Sequence, residues 1–439
     1  MWDWGTQPFN TVITTFVFAV YITSSAFGDT NFTSQALATS TTIGGLFVAL
    51  AAPVLGQTAD RSGRAVTTLR WLTWLLAAIS AALFFVKPDP AYLWLGLGLL
   101  AVGSVVSEIA GVNYNSLLDD VAGEANVGRI SGFGWGLGYL GGIVVLLVIY
   151  FLLIQPEVGL FGVTGEDGMD IRVSMIICGI WTLLFTIPTF VNLRDKSATQ
   201  RRPIPGVEMW QGRRPQFIWG WLAPVVASYV ELIRTIQRLW GVSRHTVYFL
   251  LASALFRDGL AGVFAFGAVI AAGTFGFSGG EVVIFGAAAN IVAGVATIIF
   301  GQLDDRIGPK KVIMISLVAL VLMGTVIFFF HDGGKTVFWI AGLTMTIFVG
   351  PAQSASRSFL ARLIPAGKSG EVFGLYATTG RVVSFLSPML FGLAIGLGAM
   401  VTGQANTQYW GILGIVLVLA AGLLVMIPVK EHHEHAQVH

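Results

Sequence analysis

The sequence predicts an all-α, polytopic membrane protein with twelve transmembrane helices in two pseudo-symmetric six-helix bundles. Charged residues make up 11% of the 439 positions, against roughly 25% in a typical soluble domain, so too little polar surface exists to cover a fold in water. Apolar runs close to the ~20 residues that span a hydrocarbon core recur along the whole chain. A segment rich in Gly, Asp and Arg occurs once in each half at matching places. Such a composition excludes a cytosolic enzyme, a disordered chain and a disulfide scaffold, and Cys178 has no cysteine partner within the chain. The net charge of +2 gives no reason to expect nucleic acid as a partner. The expected surroundings are a lipid bilayer.

The elements follow in chain order. The run at 6–27 starts close to Met1 and acts as its own insertion signal, with no cleavable leader expected. Runs at 37–58, 67–86, 91–117, 129–154 and 171–192 complete a first block of six. Glycine and proline inside them are tolerated in membrane helices. A basic, proline-punctuated linker over 194–216 follows, with Arg201, Arg202, Pro203, Pro205, Arg213, Arg214 and Pro215. Next, Leu222, Val225, Tyr229, Ile233, Ile236 and Trp240 recur at helical spacing, with Glu231, Arg234, Gln237 and Arg238 on the other side. This reads as an amphipathic helix lying on the membrane, not a thirteenth crossing. Runs at 245–273, 280–302, 311–330, 336–360, 370–396 and 408–428 form the second block. The expected organisation is a bundle over 1–192, a cytoplasmic linker with its interfacial helix over 193–244, a second bundle over 245–428 and a cytoplasmic tail over 429–439. The tail's Glu431, His432, His433, Glu434 and His435 read as solvated, and no metal site is expected.

Basic residues set the orientation. With twelve crossings, the loops on the side of both termini hold 20 Lys and Arg, and the opposite loops hold three: Lys87, Arg172 and Lys335. This bias places both termini in the cytoplasm, in a bacterial plasma membrane. Trp71, Trp94 and Trp339 sit near span ends as interfacial anchors.

The two blocks repeat each other. Residues 56–63 recur at 301–308, with Gly56, Gln57, Asp60, Arg61 and Gly63 matching Gly301, Gln302, Asp305, Arg306 and Gly308. A weaker echo pairs Ser116, Leu118, Gly128, Gly132 and Gly138 with Ser358, Leu360, Gly370, Gly374 and Gly380. Parallel six-helix halves form a transporter architecture with the substrate site between them. The glycines from Gly132 to Gly142 have no strand before them, so Gly134, Gly138 and Gly142 read as a stripe for helix packing and not as a nucleotide loop. No cofactor is expected.

The segment Gly56–Arg64 resembles the signature loop of the major facilitator superfamily, and its second copy keeps Asp305, Arg306 and Gly308, followed by Lys310 and Lys311. Several segments resemble its vacuole-effluxer-like branch, also termed the unknown major facilitator family. They are Trp2–Trp4, Asn10–Phe18, Tyr114–Leu118, Gly132–Gly142, Asp258–Gly259, Ser356–Pro365 and Phe373–Tyr376. Vacuolar members of that branch are implicated in amino-acid efflux. The resemblance thus implies a monomeric secondary transporter that is not an enzyme. It would move a small-molecule substrate, an amino acid or small peptide, by alternating access with protons. Another reading of the same spans is a membrane protein that binds a ligand without carrying it, or a lipid flippase.

Charges inside a bilayer are expensive and mark functional sites. Glu108, Arg257, Asp258 and Arg381 lie within predicted spans. By the superfamily's arrangement, Glu108, Asp258 and Arg381 face one cavity. A carboxylate held out of water can exchange a proton near neutral pH, and Arg381 can bind a substrate carboxylate. Arg257 or Arg381 could instead neutralise these acids as structural pairs. Polar candidates near them are Asn10, Asn113, Tyr114, Asn115, Asn290, Gln353, Ser356 and Arg357. The signature loops, with Gly56, Asp60, Arg61, Gly63 and Arg64 in one copy and Gly301, Asp305, Arg306, Gly308 and Lys310 in the other, are gating candidates by the resemblance. Asp60 is expected to approach Gly370, and Asp305 to approach Gly128 and Arg129. These contacts would latch the cytoplasmic side shut in one state. Asp60→Asn and Asp305→Asn are each expected to slow net transport in proteoliposomes; unchanged rates in both would remove the latch.

Overall fold

The computed structural model describes residues 1–62, 64–117, 127–195, 219–363 and 369–430. Among them the regular structure is entirely helical. The first span, α1, is an α-helix over Trp2–Pro8, a π-helix over Phe9–Phe16 and an α-helix over Phe18–Ile22. Then come α2 (Thr30–Ser62), α3 (Ala65–Ala82), α4 (Leu93–Ser116), α5 (Val127–Ile149) and α6 (Met169–Asn192). The linker contributes α7 (Trp219–Val242). The second half holds α8 (Arg244–Gly273), α9 (Gly279–Ile307), α10 (Pro309–Phe329) and α11 (Gly334–Leu363). It ends with α12 (Ser369–Val382), α13 (Leu386–Thr402) and α14 (Gly411–Met426).

Ten of these segments are long and apolar enough to cross a membrane. Adding the π-interrupted α1 and the partly described α5 to these ten agrees with the twelve crossings expected, with α12 and α13 together counted as the eleventh. The outward surface suits lipid: Phe329 is 71% exposed and Met400 84%. In water such aliphatic faces would aggregate. The crossings pack by the same scheme in each half. In the first, α2 lies on α4, α3 on α4 and α6, and α1 on α5 and α6. In the second, α9 lies on α11, α10 on α11 and α14, and α8 on α12 and α14. The halves meet where α2 touches α12 and α13, where α5 touches α9, and where α1 touches α8.

Three boundaries differ from the sequence reading, each for a physical reason. Helix α1 starts at Trp2 and not at 6, because Trp2 is buried and its indole N–H donates to Thr73 Oγ1 at 3.0 Å. Helix α2 starts at Thr30 and not at 37. Its polar first turns look like loop but are satisfied in place. Asp29 Oδ1 accepts from the backbone N–H groups of Asn31 and Phe32, as a capping carboxylate does. The eleventh crossing extends to Thr402 and is broken at 383–385. The break is capped from another helix: Asp258 Oδ2, on α8, accepts from Ser387 N at 2.6 Å, and Asp258 is only 5% exposed. The carboxylate thus satisfies an orphan amide at the start of α13.

Arg172 also departs from the sequence reading. Expected in a loop, it is buried in α6, donates to Phe84 O at 2.7 Å and lies over the Phe84 ring. In α7, Leu232, Thr235, Ile236 and Leu239 are buried or half-buried, while Val226, Val230, Ile233 and Trp240 form an exposed apolar stripe. Tyr229 Oη ties this helix to Leu50 O of α2 at 2.7 Å.

Twelve crossings put both chain ends on one face. On the other face the halves are joined by uncharged side chains. Asn31 Nδ2 donates to Ala405 O at 2.8 Å and to Thr407 Oγ1 at 3.0 Å, and Thr407 N donates back to Asn31 Oδ1 at 2.9 Å. Gln408 Nε2 donates to Ser34 Oγ at 2.8 Å and its Oε1 accepts from Thr274 at 3.1 Å. Ser34, Thr407 and Gln408 are fully buried there. Deeper in, α2 meets the break at 383–385 backbone to backbone: a Cβ on Gly45 would stand 2.9 Å from Phe385 Cα. Only glycine permits this approach.

Asp258→Ala leaves a buried amide unpaired and is expected to cost about 1–3 kcal/mol, read as a lower thermal midpoint in detergent. Asp258→Asn keeps an oxygen in place and is expected to lose much less; equal losses would show that the carboxylate does not hold the break. Ser34→Cys is expected to resist a membrane-impermeant maleimide and to become reactive once Gly45→Ile forces the halves apart. Identical labelling in both backgrounds would show that Gly45 does not control the closure. The native Cys178 is buried and contributes little signal.

Candidate functional site

Within the membrane-spanning region, α4 and α12 face each other across the two halves. Arg381 Nε, on α12, donates to Glu108 Oε2, on α4, at 3.2 Å. The arginine is 21% exposed and the glutamate 54%, so the pair borders an open space. Arg381 is steadied on its own helix by Ala377 O. Among the described residues this is the one ion pair that joins the halves.

Arg257 and Asp258 are consecutive on α8, and helix geometry sends them different ways. Asp258 turns to Ser387 and does not share the space beside Glu108 and Arg381. Arg257 lies along α12. Its Nη1 donates to Tyr376 O at 3.0 Å and its Cζ stands 4.1 Å from the Tyr376 ring centroid. A Cβ on Gly380 would lie 2.9 Å from Nη1, so the missing side chain makes room for the guanidinium. Tyr376 is fixed in turn, with its Oη 2.5 Å from Ser356 Oγ on α11. Arg357, Arg381 and Glu108 all lie close enough to act on the charge of Arg257.

A cavity of about 620 Å³ opens between α5, α8, α9 and α11, lined by Asn290, Gln353 and Arg357 with aliphatic walls. Asn290 spends its amide N–H on Gly286 O of its own helix. Asn10 sits in the π-helical stretch of α1, where its carbonyl accepts from both Thr14 and Thr15 at 2.8 Å. Such stretches recur at functional sites.

Other expected residues lie elsewhere. Asn113 is buried and bonds Ile109 O. Tyr114 donates to Asp3 Oδ2 at 2.6 Å and stacks on Trp2 at 4.5 Å. Asp3 packs over Gly138 of α5, as Arg257 packs over Gly380 of α12. The weaker sequence echo aligns these two glycines, with the Cβ of Asp3 against the first and the guanidinium of Arg257 against the second. The side chain of Asn115 lies outside the described residues. So do the side chains of Asp60, Arg61 and Asp305, the surroundings of Gly56 and Gly301, and all of Gly63. Nearby, Asp304 is buried and pairs with Arg362 of α11 at 3.8 Å. Arg64 and Arg306 are exposed, and Gly308 joins α9 to α10 with φ +89°. Lys310 Nζ donates to Ile427 O and Val429 O at the end of α14, as a cation at a helix C-terminus does. The sequence reading missed Asp3, Tyr376, Gly380 and Ser387. The repeat of Gly138 at Gly380 was the available signal for two of them.

A family model for the vacuole effluxer Atg22-like proteins matches residues 124–437. The uncharacterized MFS-type transporter YxiO of Bacillus subtilis is 26% identical over 452 residues, covering 100% of this chain and 95% of the relative. Autophagy-related protein 22 of Yarrowia lipolytica is 26% identical over 328 residues, covering 72% of this chain; the chain spans 53% of that relative's length. A bacterial homologue of the iron transporter ferroportin in the inward-facing state shares the fold. Its TM-score is 0.63 at 16% identity, covering 98% of this chain and 96% of that one. The outward-facing state of such a homologue scores 0.52 at 15% identity. With the family model covering most of its length, the paired six-helix halves and the relative matched end to end, the chain belongs to the vacuole effluxer Atg22-like branch of the major facilitator superfamily.

Proposed function

We propose that the chain is a secondary active carrier that moves a small solute by alternating access, coupled to protons. The observation that carries this reading is the Arg381–Glu108 ion pair between the halves. Its carboxylate belongs to one half and its guanidinium to the other, so parting the halves at this level must break it. A proton arriving on Glu108 weakens the pair and favours parting; a proton leaving restores it. The groups facing Glu108 are Arg381 on α12 and Arg257 on α8. The half-open carboxylate gives protons a way in. Asp258, fixed as a cap, is assigned to the hinge and not to the proton. The basic bias of the loops supports cytoplasmic termini in a bacterial plasma membrane. The vacuole-effluxer family supports outward movement of amino acids or small peptides.

The test uses purified chain in proteoliposomes with labelled amino acids and dipeptides. Glu108→Gln is expected to keep counterflow exchange but to lose accumulation driven by an imposed pH gradient. Wild-type uptake that ignores the gradient would sink the coupling. Saturable binding with no counterflow in the wild type would leave a ligand-binding protein that does not transport.

A further inference from the structure

We infer that Arg257, seated between Tyr376 and Gly380, is an oxyanion-binding site, and that the carried solute has net negative charge. The inference rests on the carrier reading above and names its substrate class: a small organic carboxylate or phosphate ester, and among amino acids the acidic ones.

The argument begins with charge. Arg257 lies within electrostatic reach of Arg381 and of Glu108. Glu108 is committed to Arg381. Arg257 keeps its charge in a protein under all ordinary conditions. Its contacts in the structure are neutral: one backbone carbonyl and one aromatic ring, both from Tyr376. A cation in a membrane interior is conserved at great cost unless an opposite charge reaches it. By contrast, the acid Asp3 in the first half is answered directly by the Tyr114 hydroxyl at 2.6 Å.

Geometry completes the argument. The ring holds one face of the guanidinium and the carbonyl takes Nη1. Nε and Nη2 form no hydrogen bond among the described residues, which leaves a planar fork suited to two oxygens of a carboxylate or phosphate. The fork is pre-positioned. Tyr376 is held by Ser356, and Gly380 has no side chain to push the guanidinium off the ring.

The full-length chain in detergent is to be titrated at constant ionic strength with matched probes: glutamate against glutamine, succinate against succinamide, and glycerol 3-phosphate against glycerol. Thermal unfolding reads binding, since a ligand of the folded state raises its midpoint. At least one anion is expected to raise the midpoint saturably while its neutral partner does not; which pair responds separates carboxylate from phosphate. Arg257→Gln is expected to weaken that anion at least tenfold, and Arg257→Lys, which keeps charge without the fork, to fall between. Gly380→Ala, which displaces the guanidinium without altering charge, is expected to weaken the anion too and carries the test if Arg257→Gln does not fold. The inference is overturned if no anion differs from its neutral partner, if Arg257→Gln binds as the wild type does, or if phosphatidylglycerol alone gives the Arg257-dependent shift. Counterflow of a neutral amino acid with no anion response would overturn this site and keep the carrier. Anion binding without counterflow would do the reverse.

Discussion

A chain surrounded by hydrocarbon must satisfy its backbone N–H and C=O groups from within, and the rest of this structure depends on how it does so at two interruptions. In α1 the helix widens into a π-helix, and the Asn10 carbonyl takes two threonine hydroxyls. In the eleventh crossing the helix stops at 383–385, and the amide of Ser387 is taken by Asp258 from α8. Neither break faces lipid alone. The π stretch lies against α8 of the other half, and the 383–385 turn lies against Gly45 of α2. Irregular backbone is thus placed where the two halves meet, and a buried carboxylate makes one of these places stable.

The same helix-packing scheme serves both halves, yet the chemistry laid on it differs. A glycine on the fifth crossing lies against the Cβ of Asp3, and its counterpart on the eleventh lies against the guanidinium of Arg257. Duplication of a scaffold fixes where a small residue opens a gap; what packs into the gap is free to diverge. An asymmetric solute needs such divergence, because a site built from two identical walls would greet both ends of it alike.

Much of the fold was legible in the sequence because the solvent is uniform. Apolar length alone marks a crossing, and the repeat at Gly56 and Gly301 divides the chain into equivalent halves. The misplaced boundaries share a cause. Asn31 and Ser34 read as loop because they are polar, but the polar groups that satisfy them come from residues 405–408, more than 370 positions away. Arg172 read as a loop residue for the same reason and is buried on Phe84. At the site, Glu108 and Arg381 were recognisable as charges in apolar runs, and the structure pairs them. The divergence of Arg257 from Asp258 was not legible. It depends on a helix break 125 or more residues downstream that no hydropathy pattern marks.

The closure opposite the chain ends is built from asparagine, serine, threonine and glutamine side chains and backbone carbonyls. Each of these bonds can be traded for one to water at small net free energy, and none carries a charge that dissolved ions could screen. The seal should therefore open and close with nearly the same ease in fresh or salty, acidic or alkaline surroundings. Sensitivity to the chemical environment is left to the charged residues deeper inside, so abrupt changes in the solution on that face would neither force the seal open nor lock it shut.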